Sequence, residues 1–254
     1  MKKVTQVYGP NQASSLMRAF KEAGTNGIVL SMPGVIDALS KNADLGFTNA
    51  TTSEAVIGAD TMGRIYRKNT PIVVVMHGTV TPESIKQELR GEQVYNITDI
   101  LKDGKLPDGR VIELLSCEEA CGDAPLSTVP YGIVVPLEAA QGSTWRFEDT
   151  ESLYCGDGDF SAAIAIAGSL VHLEKLHKYI VQKYDESRSD ISVREEYPVD
   201  LNDSARRHLH IFSQGGGKYA DSDFSFTAKA LKPTIDMHAT VASPVAKKTL
   251  DERV

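Results

Sequence analysis

The chain has 254 residues, 27 of them Lys or Arg and 34 Asp or Glu, for a formal charge of −7. With 41% hydrophobic and 24% charged residues it has a globular composition and enough length for a full core, which excludes wholesale disorder. The acid excess argues against nucleic acid as a partner, and no apolar run approaches the ~20 residues of a membrane helix. The opening MKKVTQV carries basic residues with no apolar stretch behind them, unlike a signal peptide. Three cysteines do not read as a disulfide framework, so a reducing, cytoplasmic setting is expected, including delivery into the cytoplasm of a host or target cell.

Ser14 to Ala23 places Leu16, Met17, Phe20 and Ala23 at helical spacing, and Gly24 stops the helix. Asn26 to Met32 reads as a buried strand ended by Pro33-Gly34, followed by a short helix over Val35 to Ser40. Thr51 to Lys68 predicts a longer helix, with Thr52 or Ser53 as cap and Ala55, Ile57, Ala59, Met62 and Ile65 as its apolar face. Pro71 to Met76 is a continuous β-branched run, the pattern of a strand buried on both faces of a mostly parallel sheet.

Thr81-Pro82-Glu83 opens a helix with a capping Thr, a Pro in the first turn and an acid beside it, running to about Arg90. Asn96 to Leu101 adds a short helical turn. Pro107-Asp108-Gly109 precedes a buried strand, Arg110 to Leu115, and Tyr131 to Leu137 supplies another. Phe160 to Lys183 predicts one long helix, Tyr184 to Asp203 a charged excursion, and His208 to Phe212 a last strand. This order predicts a single α/β domain over residues 1–254: a three-layer sandwich with a mostly parallel central sheet flanked by helices. Residues 1–150 would form the sheet core that carries the chemistry, and 151–254 a helix plus C-terminal elaboration.

Two of these strands end in reactive residues. IVVVM is followed at once by His77-Gly78, and VIELLS by Cys117. In a parallel sheet both C-terminal ends share one edge, where ligands bind in open α/β folds. Neighbouring strands would then deliver an imidazole and a thiol side by side, as a Cys/His dyad requires. The N–H groups of Gly78 and Cys117 would be available to a developing oxyanion.

A hydrophobic block ending in His-Gly, a spacer and a second block ending in Cys resembles the cysteine peptidases of the caspase–haemoglobinase fold. That group includes caspases, legumains, gingipains, separase-type domains and autoprocessing domains of bacterial toxins. The likeness spans Asn26 to Trp145, and LLSCEEACGD followed by YGIVVPLE is similar to the order in toxin-type members. It implies His77 as general base or acid, Cys117 as nucleophile, Gly78 and Cys117 as oxyanion donors, and no cofactor. The implied partner is a protein or peptide substrate, with no nucleic acid and no membrane. The stretch Gly142-Ser143-Thr144-Trp145-Arg146 resembles the Ser-Trp-Arg that caspases place at the pocket for an acidic side chain, while Glu148, Asp149 or Glu151 would suit a basic one; Trp145, Arg146, Glu148 and Asp149 are therefore candidate substrate contacts. The Leu115-Ser116 pair before the thiol departs from the Gln-Ala or Glu-Ala of caspases and legumains.

Other motifs give weaker signals. Cys117, Cys121 and Cys155 with a His have the composition of a zinc set without two close ligand pairs. CGDGD at 155–159 lacks the Glu of a calcium loop, and Gly215-Gly216-Gly217-Lys218 lacks the phosphate-loop frame. His208 and His210 would share one side of a strand. Two other functions compete with a peptidase: a catalytically silent binding module on the same fold, and a fragment echoing the pyrimidine-binding half of thiamine-diphosphate enzymes over Gly27 to Val75.

Overall fold

A computed structural model describes residues 4–9, 12–25, 27–41, 49–122, 130–140, 145–148, 152–155, 161–183, 206–214, 223–229 and 237–242. Strand β1 (Val4–Gly9) leads into helix α1 (Gln12–Ala23), strand β2 (Ile28–Val29) and helix α2 (Met32–Ser40). A hairpin follows, β3 (Asn49–Asp60) and β4 (Thr70–His77), then helices α3 (Pro82–Leu89) and α4 (Ile97–Asp103). Strand β5 (Glu113–Ser116), helix α5 (Cys117–Cys121), strand β6 (Tyr131–Pro136) and helix α6 (Leu137–Ala140) complete the central region. Beyond it lie β7 (Trp145–Glu148), β8 (Ser152–Cys155), α7 (Ser161–Ala167), α8 (Leu170–Lys183), β9 (Arg206–Gln214), β10 (Asp223–Lys229) and β11 (Met237–Ala242).

The main sheet runs β1-β11-β3-β4-β6-β5, with β9 on the other edge of β3, β10 on β9, and β2 on β11. Only β11–β3 and β5–β6 are parallel; every other pairing among the described strands is antiparallel. The expectation of a mostly parallel, caspase-like sheet is thereby corrected. Its cause is the hairpin: residues 61–69 turn the chain back, so β4 runs against β3 and not along it.

Alternation along the central strands splits the core in two. Ala55, Ile57, Val73, Val75, Ile133 and Val135 face α2, α7 and α8. Val56, Ile72, Val74, Met76 and Val134 face the other way, onto Ile97, Ile100 and Leu101 of α4. With both faces covered, these strands lose the apolar–polar rhythm that marks a half-exposed strand. The helix expected over 51–68 is instead most of β3 and the loop after it.

Helix ends follow their local chemistry. Thr81 and Ser84 form a reciprocal capping box at the start of α3. The helix expected over 160–183 breaks into α7 and α8 at Gly168, where φ is +98° and an added Cβ would lie 2.5 Å from the Tyr131 hydroxyl. Pro33 and Gly34 lie inside the first turn of α2 and do not end a strand. The expected strand at 208–212 lies within β9. No helix among the described residues is long and apolar enough to cross a membrane.

Candidate functional site

The sheet register separates the two residues expected to form a dyad. His77 lies opposite Tyr131, the first residue of β6, and Tyr131 lies opposite Glu113, the first residue of β5. Cys117 follows Ser116, whose partner is Val134 and, through it, Val74. The thiol residue is therefore four rungs from the histidine and two strands away, about 13 Å along the strands and about 10 Å across them. Because β4 and β5 are antiparallel across β6, their C-terminal ends lie at opposite edges.

Each residue has structural work where it stands. His77 is fully buried; its Nδ1 is 2.7 Å from the Ser53 hydroxyl and its Nε2 is 2.9 Å from the carbonyl of Ala165. Its ring packs against Tyr131 at a centroid distance of 4.9 Å. Desolvation holds its pKa down at about 3, against the hydrogen bond to Ala165 that favours the charged form. The N–H of Gly78 donates to Thr52 O at 3.1 Å, so it is spoken for and not poised for an oxyanion. Cys117 begins α5 behind a Ser116–Glu119 capping box, and its Sγ lies 3.8 Å from Ser161 O. Trp145, Arg146 and Glu148 belong to β7, which pairs with β8 in a separate two-stranded sheet. Asp149 and Glu151 lie outside the described residues, as do 156–160 and 215–218. No three His, Cys, Asp or Glu side chains among the described residues gather as metal ligands do.

The polar run Thr51-Thr52-Ser53-Glu54 is buried at the centre of the molecule. Between Ala50 and Glu54 the pairing with β9 slips, so that four steps of β3 span two of β9. This bulge removes backbone groups from the ladder, and neighbouring elements satisfy them. Thr52 O accepts from Gly78, Thr79 and Val80, and Thr52 N donates to Leu30 O. The Ser53 hydroxyl accepts from Met32 N at 2.8 Å, capping α2 from a distant strand. The Thr79 hydroxyl donates to the Glu54 carboxylate. Buried polar atoms here hold elements together.

An open groove of about 630 Å³ lies on the α4 side of the sheet. Asn96 caps α4 through Thr98 N, and Gly104 ends it in the left-handed region. Ile97, Ile100 and Leu101 turn inward, which leaves Asp99 and Asp103 exposed. Residues 105–111 then form a tight turn closed by Leu106 N to Arg110 O at 2.8 Å. The groove has an apolar floor of Val94, Ile100 and Leu106, and Asp99, Asp103 and Lys105 along its rim. Two side chains fix its walls to the end of β4. Arg110 donates to Gly78 O at 2.9 Å and Thr79 O at 2.7 Å, and the Tyr95 hydroxyl reaches Thr79 O at 3.4 Å. Sequence reasoning passed over this region; the signal was Asn96 followed by an apolar stripe whose opposite face carries two aspartates.

No protein-family model matches the chain, and no curated protein matches it. A solved structure does: a protein from Nanoarchaeota whose C-type lectin fold accommodates massive sequence variation. It aligns over 95% of this chain and 97% of its own length, with a TM-score of 0.53 at 16% identity. The likeness is one of fold. It overturns the expected membership of the caspase–haemoglobinase peptidases and, with the separation of His77 from Cys117, the thiol-protease function.

Proposed function

We propose that this chain is a binding module that holds a protein or carbohydrate partner in the groove beside α4. The observation that carries the reading is the braced groove itself: an apolar floor, charged groups on its rim, and walls tied by Arg110 and Tyr95 to the end of β4. An apolar floor with polar groups at its margin suits a ligand that has one apolar face and hydroxyl or cationic groups at its edges. The nanoarchaeal protein's fold accommodates massive sequence variation. A rigid sheet with its recognition surface on connecting segments is the physical arrangement that permits such variation.

The test is a screen of the purified chain on glycan and peptide arrays, followed by titration of the best ligand into variants. Asp99→Ala/Asp103→Ala is expected to weaken binding about tenfold or more, as loss of one or two ligand hydrogen bonds would. Cys117→Ala should bind like the wild type. Unchanged affinity in the double variant would contradict the assignment, as would turnover of the ligand that depends on Cys117.

A further inference from the structure

The β3–β4 connection, Thr61 to Asn69, is nine residues long with a locked backbone. The buried Asp60 carboxylate accepts from the N–H groups of Arg64 at 3.1 Å, Ile65 at 2.9 Å and Tyr66 at 2.9 Å. The Asp60 carbonyl accepts from Gly63 at 3.2 Å and Asn69 at 2.7 Å. Gly63 and Asn69 take φ values of +68° and +66° to close the loop. Ile65 and Tyr66 pack inward onto the face of the sheet that bears α4, and the Tyr66 hydroxyl donates to Val134 O at 3.1 Å.

This arrangement turns Arg64, Arg67 and Lys68 outward, all exposed. Three cations within five residues stand out in a chain with seven more acids than bases. Ion pairs among the described residues engage Lys86, Arg90, Arg110, His172 and Lys175, and none engages these three. A fixed backbone lowers the ordering entropy that binding would otherwise cost. Guanidinium forks match tetrahedral oxyanions in a bidentate manner, and lysine adds a point charge. The overall charge of −7 opposes a long polyanion such as duplex nucleic acid, whose field extends well past one loop. A compact ligand escapes most of that repulsion.

We propose that the 61–69 loop is a binding site for a ligand carrying clustered sulfate or phosphate groups, distinct from the groove beside α4. Two sources share this chemistry, and two probes separate them: tripolyphosphate, and a fully sulfated tetrasaccharide with its unsulfated counterpart as control. Each is titrated into the ¹⁵N-labelled chain at about 50 mM salt, where phosphate contacts are stronger than at physiological ionic strength. The expected result is saturable binding of at least one anionic probe below about 1 mM, with shifts centred on the amides of 61–69. Arg64→Ala/Arg67→Ala/Lys68→Ala should weaken it about tenfold or more, while Asp99→Ala/Asp103→Ala leaves it unchanged. The preferred probe identifies the source. No saturation by either anion, equal binding by the triple variant with its spectrum otherwise intact, equal binding of the unsulfated control, or shifts centred elsewhere would overturn the assignment.

Discussion

The Ser53 hydroxyl donates to Nδ1 of His77 across 2.7 Å while its oxygen accepts the N–H of Met32 at 2.8 Å. Nε2–H of the same imidazole donates to Ala165 O, a tautomer set by the surrounding network. Two side chains thus join β3, β4, the start of α2 and α7. A serine beside a histidine suggests catalysis when seen as a list. Here both are fully buried and their polar atoms are engaged by backbone from other elements, so the pair acts as a clamp.

Removing half of the clamp should be costly. Ser53→Ala strands the Met32 N–H and the unprotonated ring nitrogen without their present partner. The expected loss is about 1–3 kcal/mol, the penalty for an orphaned buried polar group. Urea denaturation of the two proteins measures it; identical midpoints would show that the clamp contributes nothing.

The same histidine sets an acid sensitivity. Its folded-state pKa is about 3, against 6.5 when unperturbed, so between those values the unfolded chain binds the proton and the folded chain does not. Stability from this group is complete above about pH 6.5 and falls as pH drops toward 3, by about 1.4 kcal/mol per pH unit. Asp37 joins at lower pH: burial pushes its pKa up, but the nearby His172 and the hydrogen bond from Lys175 bring it well below the ordinary 3.8, so its contribution is lost as pH falls below that value. His77→Phe should flatten the slope between pH 6.5 and 4, read from denaturant midpoints across that range. A slope equally steep in the variant would assign the sensitivity to other groups.

Asp60 supports its loop from within. Burial raises its pKa, but the backbone N–H bonds from Tyr66, Ile65 and Arg64 more than offset this and hold it below 3.8. Asp60→Ala leaves three N–H groups without their carboxylate, an expected loss of about 2–4 kcal/mol. Hydrogen exchange should quicken at Arg64, Ile65 and Tyr66 before it does in β4. Protection at those amides equal to the wild type would contradict the proposed bracing.

Arg110 is predicted to stiffen the groove more than it stabilises the fold. Its side chain is 36% exposed and also pairs with Asp108 at 2.7 Å, so solvent screens much of the charge. Arg110→Ala should cost about 1 kcal/mol and speed amide exchange across 93–96 and 104–110. Exchange that changes uniformly over the whole chain would mean that the arginine serves global stability.

Much of the molecule was legible where local chemistry decides. The Thr81-Pro82-Glu83 start, the apolar face of Leu16 and Phe20, and the β-branched run of 72–75 all lie in the expected elements. Thr51 to Lys68 misled for a physical reason. Ala55, Ala59 and Met62 fall at helical spacing, yet in β3 Ala55 and Ile57 share one covered face and Val56 the other; its polar half, Thr51 to Glu54, is satisfied largely by residues distant in sequence, Met32, His77 and Thr79. Reading 61–68 as the end of a helix hid the hairpin, and with it the direction of β4. The parallel pairing of β5 with β6 follows from the sequence order, but nothing local shows that β6 inserts between β4 and β5. An imidazole and a thiol at the ends of two good strands therefore resembled a dyad. The groove went unnoticed because its charged rim reads locally as an ordinary solvated helix face.

Interstrand proton contacts between β4 and β6 report the strand direction that separates His77 from Cys117. Antiparallel pairing from Ile72–Pro136 to His77–Tyr131 brings alternate Cα atoms to about 4.5 Å, so strong Hα–Hα nuclear Overhauser effects are expected at every second rung, linking residues near Val74 to those near Val134. Their absence, with the interstrand Hα to N–H contacts of a parallel pair in their place, would return His77 to the edge that bears Cys117 and contradict the antiparallel pairing.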